Sequence, residues 1–316
     1  IRIIVQGQSS SVASALTDGI KKYNKRNSGQ EVLFVNFAAI DPALTNKRCH
    51  FWHFRFDSHV DMKMAALTDW LKTQKDIKSI YIIGQDYSFG KAVAAAAVRM
   101  IKEKRPDIKI VGNELHPIGK VKDFTPYVQK MMKAKADAII TGNWGTDMTL
   151  LIKAASQAGQ KSPYLTLYGG GLGAPTAMGR SAVGLVKQVT EFHENLDASD
   201  EQKKKVDDFE KQYGTDYYWE RIFTAMGMLT KAIETAGADN IIGIAKALEG
   251  MEYETPYGKV YMRAEDHQLV QPLYISTYLD GVERDVEGTG FGFKTDLRIP
   301  GEATVLPTSC KMRRPS

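Results

Sequence analysis

Cysteine is almost absent: Cys49 and Cys310 are the two in 316 residues, and neither has CxxC or metal-ligand spacing. That excludes a zinc ribbon and a thioredoxin-type redox motif. The six histidines, His50, His53, His59, His116, His193 and His267, form no HxxxH pattern, so no metal site is expected. No apolar run approaches the ~18–20 residues of a membrane-spanning helix. Charge of one sign is not in large excess either: 42 Lys+Arg face 37 Asp+Glu, for a net charge of +5. The densest basic cluster, Lys203, Lys204 and Lys205, is bracketed by Glu201, Asp207 and Asp208. It is a solvated helix face, and nucleic acid is not an expected partner. There is no repeat of solenoid period and no low-complexity linker.

What is present is apolar material, 43% of the chain, in a length too great for one compact core. Two lobes are expected. Apolar periodicity alternates along the first two thirds. Strands are predicted at 2–6, 31–37, 52–56, 79–84, 108–113, 137–141, 164–168 and 185–190, with helices at 10–25, 59–74, 88–104, 123–134 and 146–158. Such alternation means an α/β fold with a parallel sheet. Helices at 199–213, 217–236 and 239–249 follow, then strands and turns, so the chain is expected to cross between lobes more than once.

Ligands of doubly wound sheets bind outside the carboxyl ends of the strands, and "GQSSS" at 7–11 holds that position after the first strand. Ser9 or Ser10 can cap the following helix, while the remaining hydroxyl and the free amides can bind a carboxylate or phosphate. A serine nucleophile fails the G-x-S-x-G test, because Ser11 stands where the second glycine belongs and no triad can be completed. Gly169, Gly171 and Ala174 match G-x-G-x-x-A, with Glu191 near the ribose-binding position, but Pro175 interrupts the required helix. A cytoplasmic cofactor-using enzyme is the competing reading, and a ligand-controlled sensor domain a third. Asp86 is expected to cap the helix beginning near Ser88. Arg55 is either a structural ion pair or a supplementary carboxylate clamp.

Five stretches in register, "VQGQSSSVASAL", "FAAIDPALTNKRCHFWHFR", "YIIGQDYSFGKAV", "KVKDFTPYVQKMMKAKADAIITGNWGTDM" and "GKVYMRAEDHQLVQPLYI", resemble the branched-chain amino acid (Leu/Ile/Val-binding) family of periplasmic substrate-binding proteins of ABC importers. The resemblance spans nearly the whole chain. It implies a type I periplasmic-binding fold: two Rossmann-like lobes with parallel sheets, closing on a ligand in the cleft. Lobe one is expected at 1–76 and 196–266, lobe two at 77–195 and 267–316. The family's opening strand, its "PLSG"-like loop and the next strand and helix would precede Ile1, and a removed signal peptide is implied. So are a periplasmic or otherwise extracytoplasmic location, a monomer, a small carboxylate ligand, a membrane permease as partner, no cofactor and no catalysis.

Position by position, the family's carboxylate-binding serine falls on Ser9, flanked by Ser10 and Ser11. Its backbone-contributing alanine falls on Ala38, and Ile40 stands where a hydroxyl is usual. The aromatic of "QDYxYG" is Phe89, preceded by Tyr87. The residue after "TGN" is Trp144, a later aromatic maps to Tyr218, and the acid that grips an amino group is replaced within Gly169, Gly170 and Gly171. An anion-binding end with an apolar wall of Phe37, Phe89, Trp144, Tyr87 and Tyr218 suits an aromatic or hydrophobic acid. The exported family also implies a disulfide between Cys49 and Cys310.

Overall fold

The computed structural model describes residues 1–171, 173–218 and 220–315. In chain order the elements are β1 (Ile3–Gln6), α1 (Ser10–Arg26), β2 (Leu33–Asn36), β3 (His53–Arg55), α2 (Val60–Leu71), β4 (Ser79–Gln85), α3 (Ser88–Lys104), β5 (Lys109–His116) and α4 (Thr125–Lys133). Then come β6 (Ala138–Thr141), α5 (Gly145–Gln157), β7 (Tyr164–Thr166), α6 (Ala174–Met178), β8 (Val186–Thr190), α7 (Asp200–Tyr213), α8 (Glu220–Ala236) and α9 (Ile241–Leu248). Five strands close the series: β9 (Glu252–Thr255), β10 (Gly258–Met262), β11 (Leu269–Val270), β12 (Leu273–Asp280) and β13 (Phe291–Ile299).

The chain folds as two compact units, one of Ile1–Met62, Trp219–Pro272 and Pro300–Ser316, the other of Lys63–Tyr218 and Leu273–Ile299. It therefore passes from one to the other at 62/63, 218/219, 272/273 and 299/300. This grouping differs from the expected division in four places, two of them short: 63–76 fall in the second unit and 267–272 in the first. Residues 196–218, expected with the first lobe, pack in the second unit, where Arg284 bonds Asp207 (2.6 Å) and Tyr217 N–H bonds Glu194 (3.0 Å). Residues 300–316, expected with the second lobe, belong to the first unit. Cys310 is disulfide-bonded to Cys49 there, Arg263 donates to the Leu306 carbonyl (2.7 Å), and Ser309 N–H to Asn46 Oδ1 (2.9 Å).

In the first unit β1, β2 and β3 pair in parallel, and β9, β10 and β11 form a separate antiparallel sheet. Helix α1 buries Ala13, Thr17, Ile20 and Asn24, a stripe at helical spacing that meets Phe34, Leu44 and Val32. Asn24 then bonds both backbone groups of Val32, so the polar end of the stripe is satisfied.

The second unit has a seven-stranded sheet in the order β13-β12-β8-β7-β6-β4-β5. It is parallel from β8 to β5, with β12 and β13 antiparallel at one edge. Its central strands are apolar on both faces, as a sheet covered by helices requires. Helix α7 begins at Ser199, whose side chain accepts from Gln202 N–H, and ends at Gly214 in the left-handed region (φ 64).

Helix α3 lies so close to β4 that a Cβ on Gly90 would stand 1.9 Å from the Gln85 carbonyl oxygen. Backbone cannot yield there as a side-chain tip would. Gly90→Ala is expected to cost about 1–3 kcal/mol by overpacking. Urea unfolding checks this as a lower midpoint at unchanged slope.

Candidate ligand-binding faces

In the first unit the turn from β1 into α1 runs against the turn after β2. A Cβ on Gly7 would lie 2.6 Å from Ala38 N, so only glycine permits the approach. Ser9 stands at the N-cap of α1 with φ 65, and its side chain makes no capping hydrogen bond, contrary to the capping expectation. Ser10 is buried, and its Oγ accepts from Asp41 N–H (3.2 Å). Ser11 is exposed. Of the neighbouring positions, Phe37 and Ala38 are half-buried, while the Ile40 side chain is in the core. Asn36 Oδ1 accepts from the N–H groups of Ala38 (3.3 Å) and Ala39 (2.8 Å), which fixes the shape of the turn.

Arg55 is fully buried and donates to Gln268 Oε1 (2.7 Å), the Asp41 carbonyl (2.7 Å) and Thr45 Oγ1. These bonds anchor the 39–45 segment. A buried ion pair, Arg221 with Asp57, lies in the same unit.

In the second unit the carboxyl ends of β4, β6 and β7 carry an aromatic row. Trp144 Nε1 donates to the Tyr87 hydroxyl (2.8 Å). The Tyr87 ring is 5.9 Å from Phe89, and Phe89 is 5.9 Å from Tyr168. The buried Lys63 ammonium lies 4.6 Å from the Tyr168 ring centroid. Phe89 is itself buried, so it supports the row from below, with Tyr87, Trp144 and Tyr168 half-exposed. Burial raises the Tyr87 pKa, against the smaller lowering by the Trp144 hydrogen bond, so the phenol keeps its proton at neutral pH.

Behind this row, Asp147 Oδ2 accepts from Gln85 Nε2 (2.7 Å) and Gly119 N–H (2.8 Å). Asp86 does not cap α3. It pairs with Lys91 on the surface (3.0 Å), and Tyr87 occupies the N-cap position.

Among the glycines, Gly170 N–H donates to Gln188 Oε1 (2.9 Å), and a Cβ there would meet that oxygen at 2.5 Å and Phe293 at 2.6 Å. An acidic side chain has no room at 170. Gly171 is less confined: a Cβ would lie 3.6 Å from the Tyr218 hydroxyl. The short helix α6 takes Pro175 in its first turn, and at five residues it is not the long helix of a dinucleotide fingerprint. Tyr168, Lys63 and Gln85 were not singled out from the sequence. Tyr168 was legible, as an aromatic directly before three glycines at a strand end; Lys63 was not.

The profile of the periplasmic binding protein family matches residues 1–282. The chain belongs to that family. As a periplasmic binding protein it is similar to a Leu/Ile/Val-binding protein homolog 4 of Brucella abortus, at 32% identity over 99% of this chain and 77% of the relative. Among solved structures it resembles the leucine-, isoleucine-, valine-, threonine- and alanine-binding protein of Brucella ovis in its closed conformation. The TM-score is 0.89 at 33% identity, covering 99% of this chain and 82% of that one. A solute-binding protein from R. palustris in complex with benzoate shares the fold, with a TM-score of 0.78 at 20% identity, covering 98% and 80%. This periplasmic binding protein is thus a substrate-binding component of a transporter and not an enzyme, and its family is extracytoplasmic. Among the described residues no helix is long and apolar enough to cross a membrane.

Proposed function

We propose that this periplasmic binding protein captures a small carboxylate, preferably an aromatic or hydrophobic acid, and delivers it to the permease of an ABC importer. The supporting observation is the hydrogen-bonded Tyr87–Trp144 pair, continued through Phe89 to Tyr168. It offers flat apolar area and, in the Tyr87 hydroxyl, a proton for a ligand acceptor. Ser9, Ser11, Phe37 and Ala38, and separately Gly171, Tyr218 and the half-exposed aromatics, are assigned to ligand binding, while the buried Ser10, Ile40 and Gly170 shape the backbone behind them. Ser9 is held in a backbone region that side chains rarely adopt, a cost met chiefly at functional positions. Ligand contacts shift the conformational population toward the form that the permease reads. The protein acts as a monomer in the periplasm.

An α-amino acid needs an acceptor for its ammonium, because a buried unpaired charge costs several kcal/mol. The family's acidic position is filled here by glycine without space for a carboxylate at 170. One observation favours the amino-acid alternative: Asp147 Oδ1 and Gln85 Oε1 are buried acceptors that no donor among the described residues reaches.

Calorimetry with benzoate and with leucine decides between them. Benzoate is expected to bind more tightly, and Ser9→Ala to weaken it by about 1.5–3 kcal/mol through loss of a charge-assisted hydrogen bond. Trp144→Ala is expected to weaken it as well, by removing the wall. Tight leucine binding without a benzoate response would return the protein to amino-acid specificity.

A further inference from the structure

Gln85, the last residue of β4, holds both members of the Tyr87–Trp144 pair. Its backbone carbonyl accepts from Tyr87 N–H (2.9 Å), and its side-chain Nε2 reaches the Trp144 carbonyl (3.4 Å). The same Nε2 donates to Asp147 Oδ2 (2.7 Å), which also accepts from Gly119 N–H (2.8 Å) in the loop between β5 and α4. One carboxylate oxygen thus joins the end of β4, the loop after β5 and the start of α5. The strand ends are joined beside it as well. Asp86 N–H donates to the His116 carbonyl (2.7 Å), and His116 Nε2 lies 2.9 Å from Asn143 Oδ1.

We propose that Asp147 and Gln85 are positioning residues that fix Trp144 so that its indole N–H meets the Tyr87 hydroxyl, and thereby set the apolar wall offered to a ligand.

Gln85 and Asp147 are each 2% exposed, so their bond is made away from bulk water, where a hydrogen bond is stronger. Asp147 lies in the first turn of α5, where the helix dipole stabilises a carboxylate, and both of its donors are neutral N–H groups. Gly119 stands at φ 68, a conformation that glycine takes without strain.

The role is one of acceptor geometry and not of charge. Both donors meet Oδ2, and among the described residues no donor reaches Oδ1. Asparagine, with its carbonyl oxygen in the Oδ2 position, keeps both bonds, and its amide replaces an oxygen that accepts none. Alanine keeps neither.

The experiment follows the Trp144 indole N–H by NMR on the whole protein without ligand. Its resonance is identified by its loss in Trp144→Phe, and the indoles of Trp52 and Trp70 serve as references. In the wild type the Trp144 indole is expected to exchange about tenfold more slowly than a free indole, the protection of one hydrogen bond. Asp147→Ala and Gln85→Leu are each expected to remove that protection, while Trp70, buried in the same unit, keeps its own. Asp147→Asn is expected to restore it to within about twofold of the wild type. Free exchange in the wild type, or protection retained in Gln85→Leu, overturns the proposal. If an apolar variant fails to fold, the wild type and Asp147→Asn still decide, because loss of protection in the latter overturns it too.

The bearing on binding rests on the reading of the aromatic row as ligand-facing, and benzoate titration of the same variants tests that part. An affinity about tenfold lower in Asp147→Ala and restored in Asp147→Asn supports it. Indole protection that follows the expected pattern while benzoate and leucine both stay silent supports the positioning role and counts against the ligand assignment.

Discussion

Reduction of the Cys49–Cys310 disulfide is expected to lower the unfolding free energy by about 5 kcal/mol, because the bond closes a loop with a sequence separation of 261 in the unfolded chain. The native state should change little on reduction. The tail is also held by Ser309 to Asn46, Arg263 to the Leu306 carbonyl and Arg314 to Glu249 (2.7 Å). The effect is thus on the unfolded ensemble, and it should fall on the first unit, where both cysteines lie. Urea unfolding of the oxidised protein, the reduced protein and the Cys49→Ser/Cys310→Ser variant measures it. A loss below about 1 kcal/mol would mean that the reduced unfolded chain is already compact enough to make the bond redundant.

Acid is expected to act on the same unit. Burial drives the His50 pKa down to about 4, with the charge of Lys21 as a smaller cause. His53 and His59 are lowered well below the ordinary value, again chiefly by burial, with nearby His50 and Arg55 respectively as the next cause. These rings fold neutral and would bind protons only once unfolded. Their contribution is complete above the unfolded histidine range and is lost as pH falls below it. At about pH 5, His50 alone accounts for about 2 kcal/mol, since the folded ring is still neutral there and the unfolded one mostly charged. Among the described residues of the second unit, His193 is lowered to about 3 by burial, and it is opposed by Glu194, whose raised pKa favours the fold at low pH. The first unit should therefore unfold before the second as the solution is acidified from neutral, seen as earlier loss of exchange protection in β1, β2 and β3. Simultaneous loss in both units, or no change down to about pH 5, would contradict this assignment.

Little of the local fold was hidden in the sequence. The 3.6-residue stripe of α1 and the apolar strands of the second sheet are read correctly because burial acts on them directly. Errors cluster where side chains choose among partners that sequence distance does not reveal. Asp86 is correctly spaced to cap α3 but pairs with Lys91, and Ser9 sits at an N-cap without capping because its backbone turns at φ 65. The aromatic row was legible residue by residue at Tyr87, Phe89 and Trp144. That Phe89 lies beneath the others, and that Tyr168 extends the row, depends on ring contacts across three strands.

Apolar periodicity, turn chemistry and the five stretches in register were enough by themselves to determine the α/β class, the presence of two units, the family and the absence of a catalytic constellation. The class follows from local spacing, which a chain carries wherever it folds, the two units from length, and the family from the resemblance of the five stretches. The tertiary structure alone decided that the 300–316 tail returns to the first unit, that Gly170 has no space for a carboxylate, that Lys63 is buried over Tyr168, and that Glu194, Glu210 and Asp216 converge. Each depends on groups distant in sequence meeting at a few ångströms, and hydrogen bonding, charge and close packing act only at that range.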